Sequence, residues 1–154
     1  MKILMVCLGN ICRSPMAEGI MRHLANERNM EIKVDSCGTA SYHIGETPDS
    51  RAVSTLRTHG IDISDLRARQ LSRTDFDKFD FIFPMDRSNL KDVLSLAPDS
   101  EAANKVRMMT DFFRPDEHIP VPDPYYGGID GFQNVYELLI DSCNAALDHI
   151  HYTH

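Results

Sequence analysis

The sequence predicts an α/β fold: a parallel sheet flanked by helices, in one domain spanning residues 1–154. Three observations predict it. An apolar strand, an amphipathic helix and a second strand follow one another within about 36 residues, which is the length of a βαβ unit. The same alternation continues to the end of the chain, without internal repeat or low-complexity tract. No linker rich in Pro, Gly or Ser divides it, and 154 residues are enough to bury a proper core.

Taken in order, Lys2 to Cys7 (K-I-L-M-V-C) is a short apolar run suited to a strand buried on both faces. Gly9 and Asn10 break it. Ser14 is placed to cap a helix and Pro15 suits its first turn. Met16, Ala17, Ile20, Met21, Leu24 and Ala25 then follow helical spacing, with Glu18, Arg22, Glu27 and Arg28 on the other side. Glu31 to Ser36 reads as the second strand, reached by a right-handed crossover. Pro48-Asp49 opens a helix to about His59, ended by Gly60. Ser72 to Asp75 begins a short helical turn. Phe79 to Met85 is a strong third strand with Pro84 at its end. Asp86 caps a helix to about Leu96, and Lys105 to Met109 reads as a fourth, shorter strand. An irregular stretch, Arg114 to Gly131, precedes a last helix that buries Phe132, Val135, Tyr136, Leu139, Cys143, Ala146, Leu147 and Ile150 along one stripe.

Composition narrows the function. Net charge is −7, which argues against nucleic acid and against an anionic membrane surface, because both require a basic face. An acidic protein that binds an anion must do so in a local pocket. No apolar stretch approaches ~18 residues, so no membrane span is expected. The run Ile3–Val6 is too short for a signal-peptide core. The four cysteines, Cys7, Cys12, Cys37 and Cys143, lack the density of a disulfide scaffold and the spacing of a zinc knuckle. Reduced thiols in the cytoplasm are the expectation, with no metal.

The segment Cys7-Leu8-Gly9-Asn10-Ile11-Cys12-Arg13-Ser14 carries the chemistry. A cysteine six residues before an arginine is weak evidence alone, since the chain has four cysteines and eleven arginines. Its position is informative: the loop leaves a buried strand and enters a helix, where open α/β sheets bind ligands. Successive amides there form an anion nest, and the helix N-terminus adds to it. Gly9 permits a sharp turn. The same field lowers the pKa of a thiol at Cys7 and favours the nucleophilic thiolate. Arg13 offers a planar fork for two phosphate oxygens. Ser14 can donate to the Cys7 sulfur, and Asn10 can hold the loop in shape. On these residues alone, a core cysteine at a strand end with a solvated arginine remains the competing reading.

Residues 6–18, V-C-L-G-N-I-C-R-S-P-M-A-E, closely resemble the active-site opening of the low-molecular-weight protein tyrosine phosphatases. The resemblance continues through Val34–Thr39, Ala68-Arg69-Gln70, Met85-Asp86 with Asn89, and Asp123-Pro124-Tyr125-Tyr126-Gly127, in the family's order over nearly the whole chain. It implies a four-stranded parallel sheet, a phosphate-binding loop between first strand and first helix, no metal and no organic cofactor. The implied reaction is hydrolysis of protein phosphotyrosine, the partner being a tyrosine-phosphorylated protein. Cys7 is then the nucleophile, Arg13 the phosphate clamp, and Leu8, Gly9, Asn10, Ile11, Cys12 and Ser14 the loop.

Asp123, between Pro122 and Pro124, is by itself only a stiff turn. The resemblance makes it the general acid that protonates a leaving phenolate of pKa near ~10. It also places Tyr125 and Tyr126 on the pocket wall, with Tyr42 facing them, and has Ser36 brace Asn10. One departure is visible: Leu66 stands where many relatives carry a histidine that bonds the loop asparagine, which implies a smaller bracing network. A thiol-dependent arsenate reductase shares this fold and loop but needs a cysteine pair about seventy to eighty residues after the nucleophile, and none lies between Cys37 and Cys143. A non-catalytic phosphotyrosine-binding module would be expected to lack one of Cys7, Arg13 and Asp123.

Overall fold

The computed structural model describes residues 1–153. Its sheet has three parallel strands in the order β2-β1-β3, namely β1 (Lys2–Cys7), β2 (Lys33–Gly38) and β3 (Phe81–Pro84). Leu4 of the central strand pairs with Asp35 on one side and Ile82 on the other. Because β1 is covered on both faces, its side chains alternate between two apolar clusters. Ile3 and Met5 meet Met16, Ile20 and Met21 of α1 (Arg13–Glu27) and Phe132, Val135 and Leu139 of α6 (Ile129–Thr153). Leu4 and Val6 face a smaller cluster with Phe76, Ile82 and Val93, under α3 (Asp75–Lys78) and α4 (Arg87–Leu96). The remaining helices are α2 (Ser50–Arg57) and α5 (Ser100–Ala103).

Three expectations need correction, and one element was not anticipated. The second strand begins and ends two residues later than predicted, at Lys33–Gly38. The expected fourth strand, Lys105–Met109, is reduced to a single parallel bridge between Val106 and Ile82. Its hydrogen bonds show why. The Ile82 amide donates to Lys105 and the Arg107 amide to Ile82, but the next donor in the ladder would be Pro84, which has no N–H. Ser14 does not cap α1: Cys12 occupies the cap position without a side-chain bond, and the Ser14 hydroxyl turns to the loop. The short α5, not anticipated, starts where the Asp99 carboxylate accepts from the Ala102 amide at 2.8 Å. By contrast, Asp49 and Asp86 cap α2 and α4 as the sequence suggests.

Candidate active site

Residues 8–12 connect the C-terminal end of β1 to the start of α1. Outside contacts fix the loop's carbonyls. Those of Cys7 and Leu8 accept from the amides of Thr39 and Ala40 at 2.9 Å each, and that of Ile11 accepts from Asp49 at 2.8 Å. No peptide bond is cis, and in a trans peptide the N–H points opposite to the C=O. Turning these carbonyls outward therefore turns the amides of Leu8, Gly9 and Cys12 toward the concave side. The sharp turn falls on Asn10, whose φ is 59°, in place of Gly9. Asparagine tolerates the left-handed region better than most residues, and here its side chain is fully engaged. The Asn10 amide donates to Ser14 Oγ at 2.8 Å and Ser36 Oγ at 3.0 Å, while its oxygen accepts from the Arg69 backbone at 3.0 Å. Gly9 serves close approach instead, since a Cβ there would lie 2.9 Å from the His43 ring.

Cys7 Sγ lies 3.0 Å from Ser14 Oγ and accepts from the Asn10 amide at 3.3 Å. Arg13 is buried, with Nη1 donating to Asp86 Oδ2 at 2.6 Å and to the Val121 carbonyl at 3.1 Å. Its Nη2 is 3.9 Å from Asp123 Oδ2. Asp123 is half exposed, and its other oxygen accepts from the Tyr125 amide at 3.0 Å. Cys7, Arg13 and Asp123 line a cavity of about 310 Å³ together with Leu8, Ile11, Cys12, Tyr42, Tyr125 and Tyr126. Tyr42 and Tyr126 stand largely in solvent at its rim, and Tyr125 is folded further in against Tyr126 and His43. Burial pushes the Cys12 thiol far above its ordinary value, reinforced by the neighbouring Asp49 carboxylate.

Behind the loop, Ser36 Oγ donates to the Glu18 carboxylate at 2.7 Å, and Arg22 pairs with the same carboxylate. Burial raises the pKa of Glu18 against the pull of these two donors. Leu66 packs against the core. The Asn10 oxygen takes the Arg69 backbone amide, so every polar atom of the Asn10 side chain is bonded with Leu66 contributing none of it.

Sequence reading missed Asp86, His43, Glu18, Asp49 and Arg51. Asp86 was legible as a helix cap, a role it fills by accepting from the Asn89 amide, and within the family resemblance, but not as the partner of Arg13. Among the described residues no cluster of three or more His, Cys, Asp or Glu is arranged to hold a metal ion, and no helix is long and apolar enough to cross a membrane.

A family model for low molecular weight phosphotyrosine protein phosphatase matches residues 2–153. The chain is 44% identical over 143 residues to the low molecular weight phosphotyrosine protein phosphatase of Schizosaccharomyces pombe, covering 91% of this chain and 90% of that protein. Among solved structures, a protein tyrosine phosphatase from Entamoeba histolytica superposes with a TM-score of 0.93 at 38% identity, covering 99% and 97% of the two chains. A Drosophila arginine phosphatase superposes with a TM-score of 0.90 at 36% identity, covering 100% and 99%.

Proposed function

The chain belongs to the low molecular weight phosphotyrosine protein phosphatase family, and we propose that it hydrolyses protein phosphotyrosine through a cysteinyl-phosphate intermediate. The observation that carries this reading is the convergence of Cys7 and Arg13, at the two ends of one loop, with Asp123, from a distant part of the chain, on one cavity. The Ser14 hydroxyl lies beside the sulfur and the Asn10 amide donates to it, which fixes where the nucleophile sits in the loop. Arg13 has Nη1 committed to Asp86 and Val121, which leaves the Nε–Nη2 edge for two phosphate oxygens.

In the first step the Cys7 thiolate attacks phosphorus in line, the loop amides and Arg13 hold the equatorial oxygens, and Asp123 gives its proton to the departing tyrosine oxygen. In the second, water attacks the cysteinyl-phosphate and Asp123 takes a proton back, releasing inorganic phosphate and restoring the thiolate. No metal or organic cofactor enters either step.

A second reading, hydrolysis of phosphoarginine, is favoured by the likeness to the Drosophila arginine phosphatase. Against it, three tyrosines line the cavity and suit a phenyl ring. Paired assays on phosphotyrosyl and phosphoarginyl peptides decide between them.

The Cys7→Ser variant tests the mechanism. It should bind phosphate or vanadate but lose turnover, because the nest survives and the thiolate does not. Acid quenching of wild type with labelled phosphotyrosyl peptide should leave label on the protein, and the variant should leave none. Turnover above about one per cent in the variant, roughly two decades or ~2.7 kcal/mol of barrier, would sink the assignment.

A further inference from the structure

We infer that Arg51 is a positioning residue that sets the distance between Asp123 and the Cys7 loop, acting as a bracket between the two halves of the site. The inference rests on Asp123 being the general acid. Arg51 Nη2 donates to the Tyr125 carbonyl at 2.9 Å and Nη1 to the Gly127 carbonyl at 3.0 Å. The other hydrogen bonds of this segment are local: the Tyr125 amide to Asp123 and the Gly127 amide to the Pro124 carbonyl. Among the described residues, Arg51 therefore supplies the hydrogen bonds that tie Tyr125–Gly127 to a distant part of the chain.

The other end of the bracket is equally fixed. Arg51 Nε and Nη2 grip the two oxygens of Asp49 at 3.0 and 2.9 Å, a fork that lysine could not reproduce. The Asp49 carboxyl is held below its ordinary range by this pairing. Asp49 in turn donates its backbone N–H to the Ile11 carbonyl at 2.8 Å, which is one of the contacts that turn the anion loop's amides inward. The guanidinium also lies 4.7 Å from the centroid of Phe132, a fully buried core side chain, and 5.8 Å from that of Tyr125. Ile11, Asp49, Arg51 and Tyr125–Gly127 thus form a continuous connection from the nucleophile's loop to the acid's segment. Because Asp123 shares a hydrogen bond with Tyr125, moving that segment moves the carboxyl.

Proton transfer in the first step depends steeply on this placement, since a displacement near ~1 Å can cost about a hundredfold. A lost bracket should therefore hurt substrates in proportion to how much their leaving group needs a proton. The test compares kcat/KM for phenyl phosphate and p-nitrophenyl phosphate in wild type, Arg51→Met, Arg51→Lys, Asp123→Ala and the double variant Arg51→Met with Asp123→Ala. Inhibition by inorganic phosphate reports on the nest. Arg51→Met should lose ~10-fold more on phenyl phosphate than on p-nitrophenyl phosphate, with phosphate inhibition little changed. Arg51→Lys keeps the stem and charge and should show the same selectivity in weaker form, which carries the test if the methionine variant does not fold. The selective loss should vanish in the double variant, where no acid remains to be positioned. If Asp123→Ala is selective and both Arg51 variants lose equally on the two substrates, the bracket is overturned alone. If Asp123→Ala is not selective, the acid assignment fails and takes the bracket with it.

Discussion

Cys12 is five residues beyond Cys7 and lines the same cavity, yet its thiol is held neutral by burial and by Asp49. The two cysteines therefore meet an oxidant differently. In the proposed mechanism Cys7 attacks as the thiolate, the form that peroxide oxidises, so Cys7 is the expected first target and passes to sulfenic acid. The Cys12 S–H can then give its proton to the departing hydroxyl as its sulfur bonds to that of Cys7, releasing water and leaving a disulfide that dithiothreitol reduces. Wild type treated with hydrogen peroxide and then dithiothreitol should recover most of its activity, whereas Cys12→Ser should start active and recover poorly. Equal recovery would show that Cys12 only packs the helix start. At this scale the loop was located by its place between two recognisable elements, and the roles of its residues were read from the family resemblance of residues 6–18. The contacts of Asp86, Asp49 and Arg51 were not legible, because their partners lie far along the chain: Asp86 meets Arg13 and Arg51 meets Tyr125 and Gly127. Even within the loop, glycine was the expected turn residue, and the left-handed conformation fell on Asn10 because its side chain has three partners to hold it there.

Among the elements, α1 does more than cover the sheet. Its inner face carries Glu18, which reaches Ser36 of β2 and, through Asn10, the active-site loop. The helical pattern alone placed Glu18 with the charged residues of the outer face. Burial instead raises its pKa, the pull of Ser36 and Arg22 being the smaller effect. The sign of the consequence follows from linkage. A carboxyl whose folded pKa lies above its unfolded one makes folding less favourable as pH rises from the ordinary glutamate value toward the raised one. Glutamine cannot ionise but still accepts from Ser36. Glu18→Gln should therefore gain stability relative to wild type between about pH 4.5 and about pH 7, a window opening just above the ordinary value near ~4.3. Urea midpoints at the two pH values measure it. A wild type that gains on the variant with rising pH would mean that the arginine pair outweighs burial. Strands β1 and β3 were legible from apolar runs, with bounds shifted by at most two residues. The fourth strand was not, because a ladder's length depends on its partner, and Pro84 withholds a donor that no periodicity in Lys105–Met109 records.

Over the whole molecule, stability and site geometry pass through some of the same residues but through different atoms. Arg69 shows this most clearly. Its backbone N–H holds the Asn10 oxygen and its carbonyl accepts from Gly38 at 2.8 Å, so its main chain joins the segment beside β2 to the loop. Its side chain faces other partners. The guanidinium bonds Asp35 of β2 at 2.9 and 3.1 Å and Asp75 of α3 at 3.0 and 3.1 Å, drawing the two elements together on the side of the smaller core. Asp75 is buried, and without Arg69 its carboxylate would keep the Ser72 amide but lose its counter-charge. Breaking a buried pair by removing one partner commonly costs about 3–5 kcal/mol. Arg69 is itself about one-third exposed, so water can reach part of the gap and a loss of about 2 kcal/mol is the expectation. For a chain of this size, that lowers Tm by about 4–8 °C. Arg69→Met leaves the backbone bonds in place, so kcat/KM measured well below the new Tm should remain within about a factor of two, or ~0.4 kcal/mol. Thermal melts and initial rates on the same preparation separate the two effects. A tenfold loss of activity at low temperature would mean that the ion pairs, and not only the Arg69 main chain, hold the Asn10 loop in its shape.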